Sequence, residues 1–237
     1  PRDVADRVEI VFACLPGKQA SLDTAFGDLG VFHGSRIATY VEMSTLGRGT
    51  IAAIGARLGA AGIGFLDAPI SGGEAGAVNG KLTIMCGGEE KAFNSAEPVM
   101  AAYGKNMTLI GESGAGQLAK SVNQICIAGI VQGLSEGLHF AEKAGLDAEK
   151  VIAAISGGAA QSWQMENRWK TMVEGHFEHG FAVDWMRKDL RITLEAAREN
   201  GASLPLTATV DQYYADVQAM GGQRWDTSSL IARLKRG

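Results

Sequence analysis

The sequence predicts an α/β fold in its first half and an all-helical second half, with the change near residue 113. Three observations carry this. Apolar runs of strand length alternate with segments of helical period up to Gly111. A proline-free stretch of helical period then runs from 114 to 145. No strand pattern returns before the end of the chain.

Each element follows from local residues. Positions 8–15, VEIVFACL, are almost continuously apolar and close at Pro16-Gly17, which reads as a buried parallel strand. ATYVEM at 38–43 is a second strand, ending at Ser44-Thr45. The alanine-rich segment 50–61 is helical and stops at Gly62. Strands at 63–68, 82–86 and 107–110 complete a mostly parallel sheet, with a helix over 89–103 between the last two. Further helices are expected near 115–145, 147–156, 159–174, 182–200, 205–220 and 227–236. In the first of these, Gly129, Gly133 and Gly137 fall four apart on one face. Each costs up to about 1 kcal/mol against alanine, which implies the close approach of another helix.

The totals exclude several functions. Net charge is −4, and the 22 basic residues are scattered rather than gathered into a stripe, which argues against nucleic-acid binding. The apolar runs fall far short of the roughly 20 residues a membrane span needs, and no secretion signal is visible. Cys14, Cys86 and Cys126 lie in apolar surroundings without metal-ligand spacing. They read as buried free thiols of a cytoplasmic protein, and neither they nor the four histidines form a metal site.

Three stretches could carry chemistry. In DAPISGGEAGAVNG (67–80), Ser71, Gly72 and Gly73 follow an apolar strand. They are either a simple turn or a loop where a ligand meets backbone N–H groups and a hydroxyl. Gly114-Ala115-Gly116-Gln117-Leu118-Ala119 fits GxGxxA. No second strand ending in an acidic residue follows, so the glycines shape a helix entrance rather than a dinucleotide loop. On that helix Lys120, Asn123 and Gln124 share a face. Lys120 either snorkels into water or is a desolvated amine able to exchange a proton with a substrate oxygen. Arg187, Lys188, Asp189 and Arg191 read as a solvated face by charge alone, Trp185 and Met186 as core, and Asp226 or Thr227 as the cap of the last helix.

Taken together, CLPGKQA after the first strand, VEMST at 41–45, DAPISGGEAGAVNGKLTIMCGG, GAGQLAKSVNQ at 114–124 and RKDL at 187–190 resemble the β-hydroxyacid dehydrogenase family, in the family's order. The resemblance implies a truncated Rossmann-type parallel sheet over 1–113 and an all-helical substrate and dimerisation domain over 114–237. It implies NAD(P)-dependent interconversion of a small 3-hydroxy acid and its semialdehyde, with NAD or NADP as cofactor and a homodimer or homotetramer as the assembly. Lys120 would be the catalytic general acid and base. Ser71, Gly72, Gly73, Asn123 and Gln124 would bind substrate, and Leu15, Pro16, Ala20, Thr45 and Lys188 would face the cofactor. The family's GxGxMG loop has no match here, so roughly 60 residues are absent by comparison with a complete dinucleotide-binding domain. Two other readings stand beside this one. A superfamily reductase of phosphogluconate would need a basic phosphate cluster, which is not evident, and the superfamily's imine reductases lack a lysine at the position of Lys120. A non-catalytic scaffold that has lost its nucleotide half would have no use for Lys120, Ser71 and Lys188.

Overall fold

A computed structural model of the chain describes residues 1–235. Its first part contains α1 (Arg2–Ala5), β1 (Ile10–Ala13), α2 (Lys18–Phe26), β2 (Thr39–Glu42), α3 (Arg48–Ala60), β3 (Gly64–Asp67) and β4 (Ile70–Ser71). It continues through α4 (Gly73–Val78), β5 (Leu82–Gly88), α5 (Glu90–Met100) and β6 (Gly104–Gly111). Helices follow as α6 (Ala115–Lys143), α7 (Ala148–Ile155), α8 (Trp163–Glu174), α9 (Val183–Asn200), α10 (Pro205–Ala219) and α11 (Leu230–Leu234). Position 236 of the expected last helix, and residue 237, lie outside the described residues. Beyond residue 120 the only strand pairing among the described residues is an isolated bridge between Ala182 and Asp226.

The six-stranded sheet is mostly parallel, as expected, with antiparallel pairings where β5 meets β3 and β4. β1, β2 and β3 run parallel, with Ile10 opposite Thr39 and Thr39 opposite Gly64. β5 is antiparallel to both β3 and β4 and parallel to β6. The reason is length: a parallel return needs a crossover of a dozen or more residues, and the short segment 72–81 holds only the six-residue α4. The third strand, expected over 63–68, spans Gly64–Asp67, and a further strand that no sequence pattern marks follows at Ile70–Ser71. This β4 resumes the same register on β5, with Leu66 opposite Gly88 and Ile70 opposite Ile84. Pro69 has no N–H to give to the ladder, so the strand is interrupted there, while its carbonyl still accepts from Met85 N–H at 3.0 Å.

Alternation along the strands divides the core in two. Tyr40 and Phe65 face a cluster with Ile51, Ile54 and Leu58 from α3. Their neighbours Val41 and Leu66 face the other side, with Ala92, Ala96 and Met100 from α5. Both faces of β2 are therefore buried, and all four of its residues, Thr39 to Glu42, are buried.

The chain forms two compact units, residues 1–122 and residues from 123 onward. The division falls two turns inside α6, nine residues later than the boundary expected from the sequence, because the start of α6 is bonded to the sheet. In the helical unit Val131, Met186, Leu190, Val210 and Tyr214 are fully buried together. A second cluster gathers Leu138, Ile152, Met172 and Ile231. Among the described residues no helix is long and apolar enough to cross a membrane.

Candidate active site

The first unit gathers its polar residues at one end of the parallel strands. Glu42 closes β2 and Asp67 closes β3, side by side in register and both without exposed surface. Burial raises the Glu42 carboxyl, although it accepts from Ser44 N–H at 3.0 Å and faces the Tyr40 hydroxyl at 3.4 Å. The Ser44 hydroxyl in turn accepts from Leu15 N–H at 2.8 Å. The loop carrying Leu15 and Pro16 is thus tied to the loop carrying Thr45. Leu15, Ala20 and Thr45 are half-buried there and Pro16 is exposed.

Asp67 holds the start of α6. Its carboxylate accepts from Gly114 N–H at 2.6 Å and from Gln117 N–H at 2.9 Å. Burial pushes its carboxyl up to about 6, against the downward pull of the Gly114, Gln117 and Gly116 amides. The helix could not seat here with side chains at its entrance. A Cβ on Gly116 would run into the carbonyl oxygens of Met85 and Asp67. One on Gly87, opposite Asp67 on β5, would lie 2.7 Å from the Asp67 carboxylate and from Gly116 N. The glycines therefore shape the helix entrance, as expected, and do so by allowing close packing.

One turn further on, Lys120 is buried, with 7 % of its surface exposed. Its Nζ donates to the Ile70 carbonyl at 2.8 Å, so the ammonium does not snorkel into water. Ile70 precedes Ser71, and the structure thereby brings Lys120 to the Ser71-Gly72-Gly73 loop. Ser71 is paired through β4 and half-buried, whereas Gly72 and Gly73 are exposed. Both glycines have positive φ, 132° and 60°, and a Cβ at Gly72 would also lie 3.1 Å from Leu82 Cδ2. Only glycine adopts the Gly72 conformation without strain.

The helical unit presents a second polar group. Asn123 Nδ2 donates to Gln124 Oε1 at 2.8 Å, and Gln124 Nε2 donates to Asp189 Oδ2 at 2.8 Å. Lys188 Nζ stands 3.2 Å from Asp189 Oδ1. Asp189 is 2 % exposed, so the solvated face expected for 187–191 is corrected: Arg187 also turns inward, onto Asp211 at 3.0 Å. Arg191 alone of that group is exposed. The thiols need correction as well, since Cys14 and Cys126 are exposed and only Cys86 is buried; none forms a disulfide.

Two family models cover nearly all of this chain. The NAD binding domain of 6-phosphogluconate dehydrogenase matches residues 1–111. The model described as NAD-binding of NADP-dependent 3-hydroxyisobutyrate dehydrogenase matches residues 114–234. The chain belongs to the β-hydroxyacid dehydrogenase family. An uncharacterized oxidoreductase of Shewanella frigidimarina is 54% identical to this dehydrogenase, over all of this chain and 81% of the other. The 2-hydroxy-3-oxopropionate reductase of Escherichia coli K12 is 36% identical over 99% of this chain and 80% of its own. Among solved structures, Mycobacterium tuberculosis 3-hydroxyisobutyrate dehydrogenase with L-serine superposes with a TM-score of 0.87 at 27% identity, over all of this chain and 82% of that one. Like its family, this dehydrogenase is an NAD(P)-dependent oxidoreductase with two NAD-binding family domains. Three residues that the sequence did not single out, Glu42, Asp67 and Gln117, order the polar end of the first unit; in the helical unit Asp189, expected on a solvated face, holds Gln124 instead. A carboxylate ending an otherwise apolar strand was the available signal for Glu42 and Asp67.

Proposed function

We propose that this dehydrogenase interconverts a small 3-hydroxy acid and its semialdehyde, with Lys120 as general acid in reduction and general base in oxidation. The observation that carries the reading is the buried Lys120 amine, held 2.8 Å from the Ile70 carbonyl beside Ser71. An amine fixed there lies within a residue of the loop assigned to the substrate carboxylate. Ser71 offers it a hydroxyl, and Gly72 and Gly73 offer backbone N–H groups with no side chain in the way. Asn123 and Gln124 are assigned to the same substrate, their amides set in orientation by Asp189.

Leu15, Pro16, Ala20 and Thr45 are assigned to the cofactor, and Lys188 is its contact from the helical unit. The fit is that of a parallel α/β sheet, whose ligands gather outside the carboxyl ends of the strands. β1 and β2 end there, and the Ser44 hydroxyl fixes the Leu15 backbone at that edge. The nicotinamide, when bound, supplies or accepts the hydride. Lys120 balances the charge that develops on the carbonyl oxygen and delivers the proton the resulting hydroxyl needs. The relatives named for 2-hydroxy-3-oxopropionate and 3-hydroxyisobutyrate support a short hydroxy acid or semialdehyde as substrate.

The assembly is assigned as a homodimer or homotetramer formed through the helical unit. Apart from their own helical turns, nothing lies within 4 Å of where a Cβ on Gly133 or Gly137 would stand, and the two glycines line a cavity of about 480 Å³ beside Val151 and Ile155. Phe140 and Trp163 are 71% and 50% exposed on the same unit.

The function is tested on the full-length protein with 2-hydroxy-3-oxopropionate and 3-hydroxyisobutyrate, following NADH and NADPH separately. Lys120→Ala is expected to lower turnover by roughly 100- to 10,000-fold, with cofactor affinity little changed. A variant that keeps more than about a tenth of wild-type turnover overturns the assignment.

A further inference from the structure

Gln117 stands one turn before Lys120 on α6 and is 3 % exposed. Its side-chain amide makes two long-range bonds. Nε2 donates to the Ser44 carbonyl at 2.9 Å, and Oε1 accepts from Leu46 N–H at 3.0 Å. The residue between those two is Thr45. A carboxamide carries a donor NH2 and an acceptor oxygen at fixed spacing, and one bond from each grips this segment as a neighbouring strand would. Gln117 is itself seated, because its backbone N–H donates to Asp67 at 2.9 Å.

We propose that Gln117 is a positioning residue: its amide clamps the Ser44–Leu46 segment and fixes Thr45 relative to Lys120. The proposal rests on the roles given above to those two residues, and it assigns Gln117 no contact with substrate or cofactor. A group that sets the distance between two reacting partners acts on the rate more than on substrate binding, since misplacement by about 1 Å costs on the order of 100-fold. Other side chains do the job less well. Glutamate keeps the acceptor for Leu46 but turns an oxygen onto the Ser44 carbonyl. Methionine fills the space and loses both bonds.

The test uses full-length Gln117→Met and Gln117→Glu alongside wild type. Amide hydrogen exchange is expected to speed up about 10-fold or more at Leu46 in Gln117→Met, and NAD or NADP is expected to bind about 3- to 10-fold more weakly. With whichever of the two probe substrates is turned over, kcat is expected to fall about 10- to 100-fold, with KM for that substrate within about threefold. A folded Gln117→Met with wild-type exchange at Leu46 overturns the clamp. So does a variant that melts earlier yet keeps kcat and cofactor affinity within twofold, since that is the behaviour of a merely structural residue. If Gln117→Met does not fold, the isosteric Gln117→Glu decides, and unchanged kcat there refutes the proposal. If Lys120→Ala keeps its turnover, the general-acid assignment falls, while Leu46 exchange and cofactor affinity still judge the clamp.

Discussion

Asp67 has no exposed surface, and burial lifts its carboxyl from 3.8 to about 6 even though backbone amides bond it. The direction has a consequence for stability. Between pH about 4 and about 6 the unfolded chain has already lost this proton and the folded chain still holds it. Stability contributed by the protonated group is present below about pH 4 and is lost as pH rises through about 6, by roughly 3 kcal/mol. Urea denaturation of wild type and Asp67→Asn across pH 4–7 measures this. The wild type is expected to lose ground against the variant as pH rises, and parallel curves would contradict the shift. Glu42, in register on β2, is present in both proteins, and the Cys86 thiol, pushed up to about 12 by burial and by the Asp67 charge, does not titrate in this range. Asp67 thus carries its charge near neutral pH at a cost to stability, while it accepts the amides that fix α6 and Gln117.

At the scale of the element, α6 is set by backbone contact at its entrance. Gly116→Ala places a methyl against the Met85 and Asp67 carbonyls, which belong to strands and cannot turn aside. The variant is expected to lose about 1–3 kcal/mol in urea denaturation and to lose turnover together with it. A variant as stable and active as wild type would show that the helix entrance can shift freely. The helices from α6 onward were legible because their apolar residues recur at helical spacing, and α9 and α10 begin and end within one residue of their expected bounds, whereas α1, α2 and α4 were not expected. β4 was not legible, since two residues beside a proline give no periodicity. Nor was the antiparallel direction of β5, because strand direction is set by the crossover rather than by the strand's own residues. The candidate lysine was visible from its apolar helix. Gln117 was not, because a glutamine in a GxG helix start looks like ordinary surface until the segment around Thr45, some 70 residues earlier, folds against it.

For the whole molecule, the cavity at Gly133 and Gly137 bears on assembly. A Cβ at 133 has room, with a cavity lined by Val151, Ile152 and Ile155 beside it, and leucine replaces the poorest helix former short of proline. Gly133→Leu is therefore expected to leave the helical unit as stable or up to about 1 kcal/mol more stable, while blocking the packing of a second copy. Sedimentation velocity at micromolar concentration is expected to show an oligomer for the wild-type full-length protein and a smaller species for the variant. A wild type that sediments as a monomer would refute the assembly. Gly129 is different, since Leu206 already lies 3.4 Å from where its Cβ would stand.

The seat of α6 bears on how glycine motifs are understood. A helix start carries the equivalent of about half a positive charge, and with exposed N–H groups it draws in phosphates. Here the amides of Gly114 and Gln117 are turned onto a carboxylate of the chain itself. Asp67 is in effect an internal anion, tethered at the helix start. Its negative charge answers the helix macrodipole from within the chain, and the Gly114 and Gln117 amides are no longer free to receive a phosphate. The GxGxxA pattern at 114–119 is thus a fingerprint already answered from within, and its outward lure is gone.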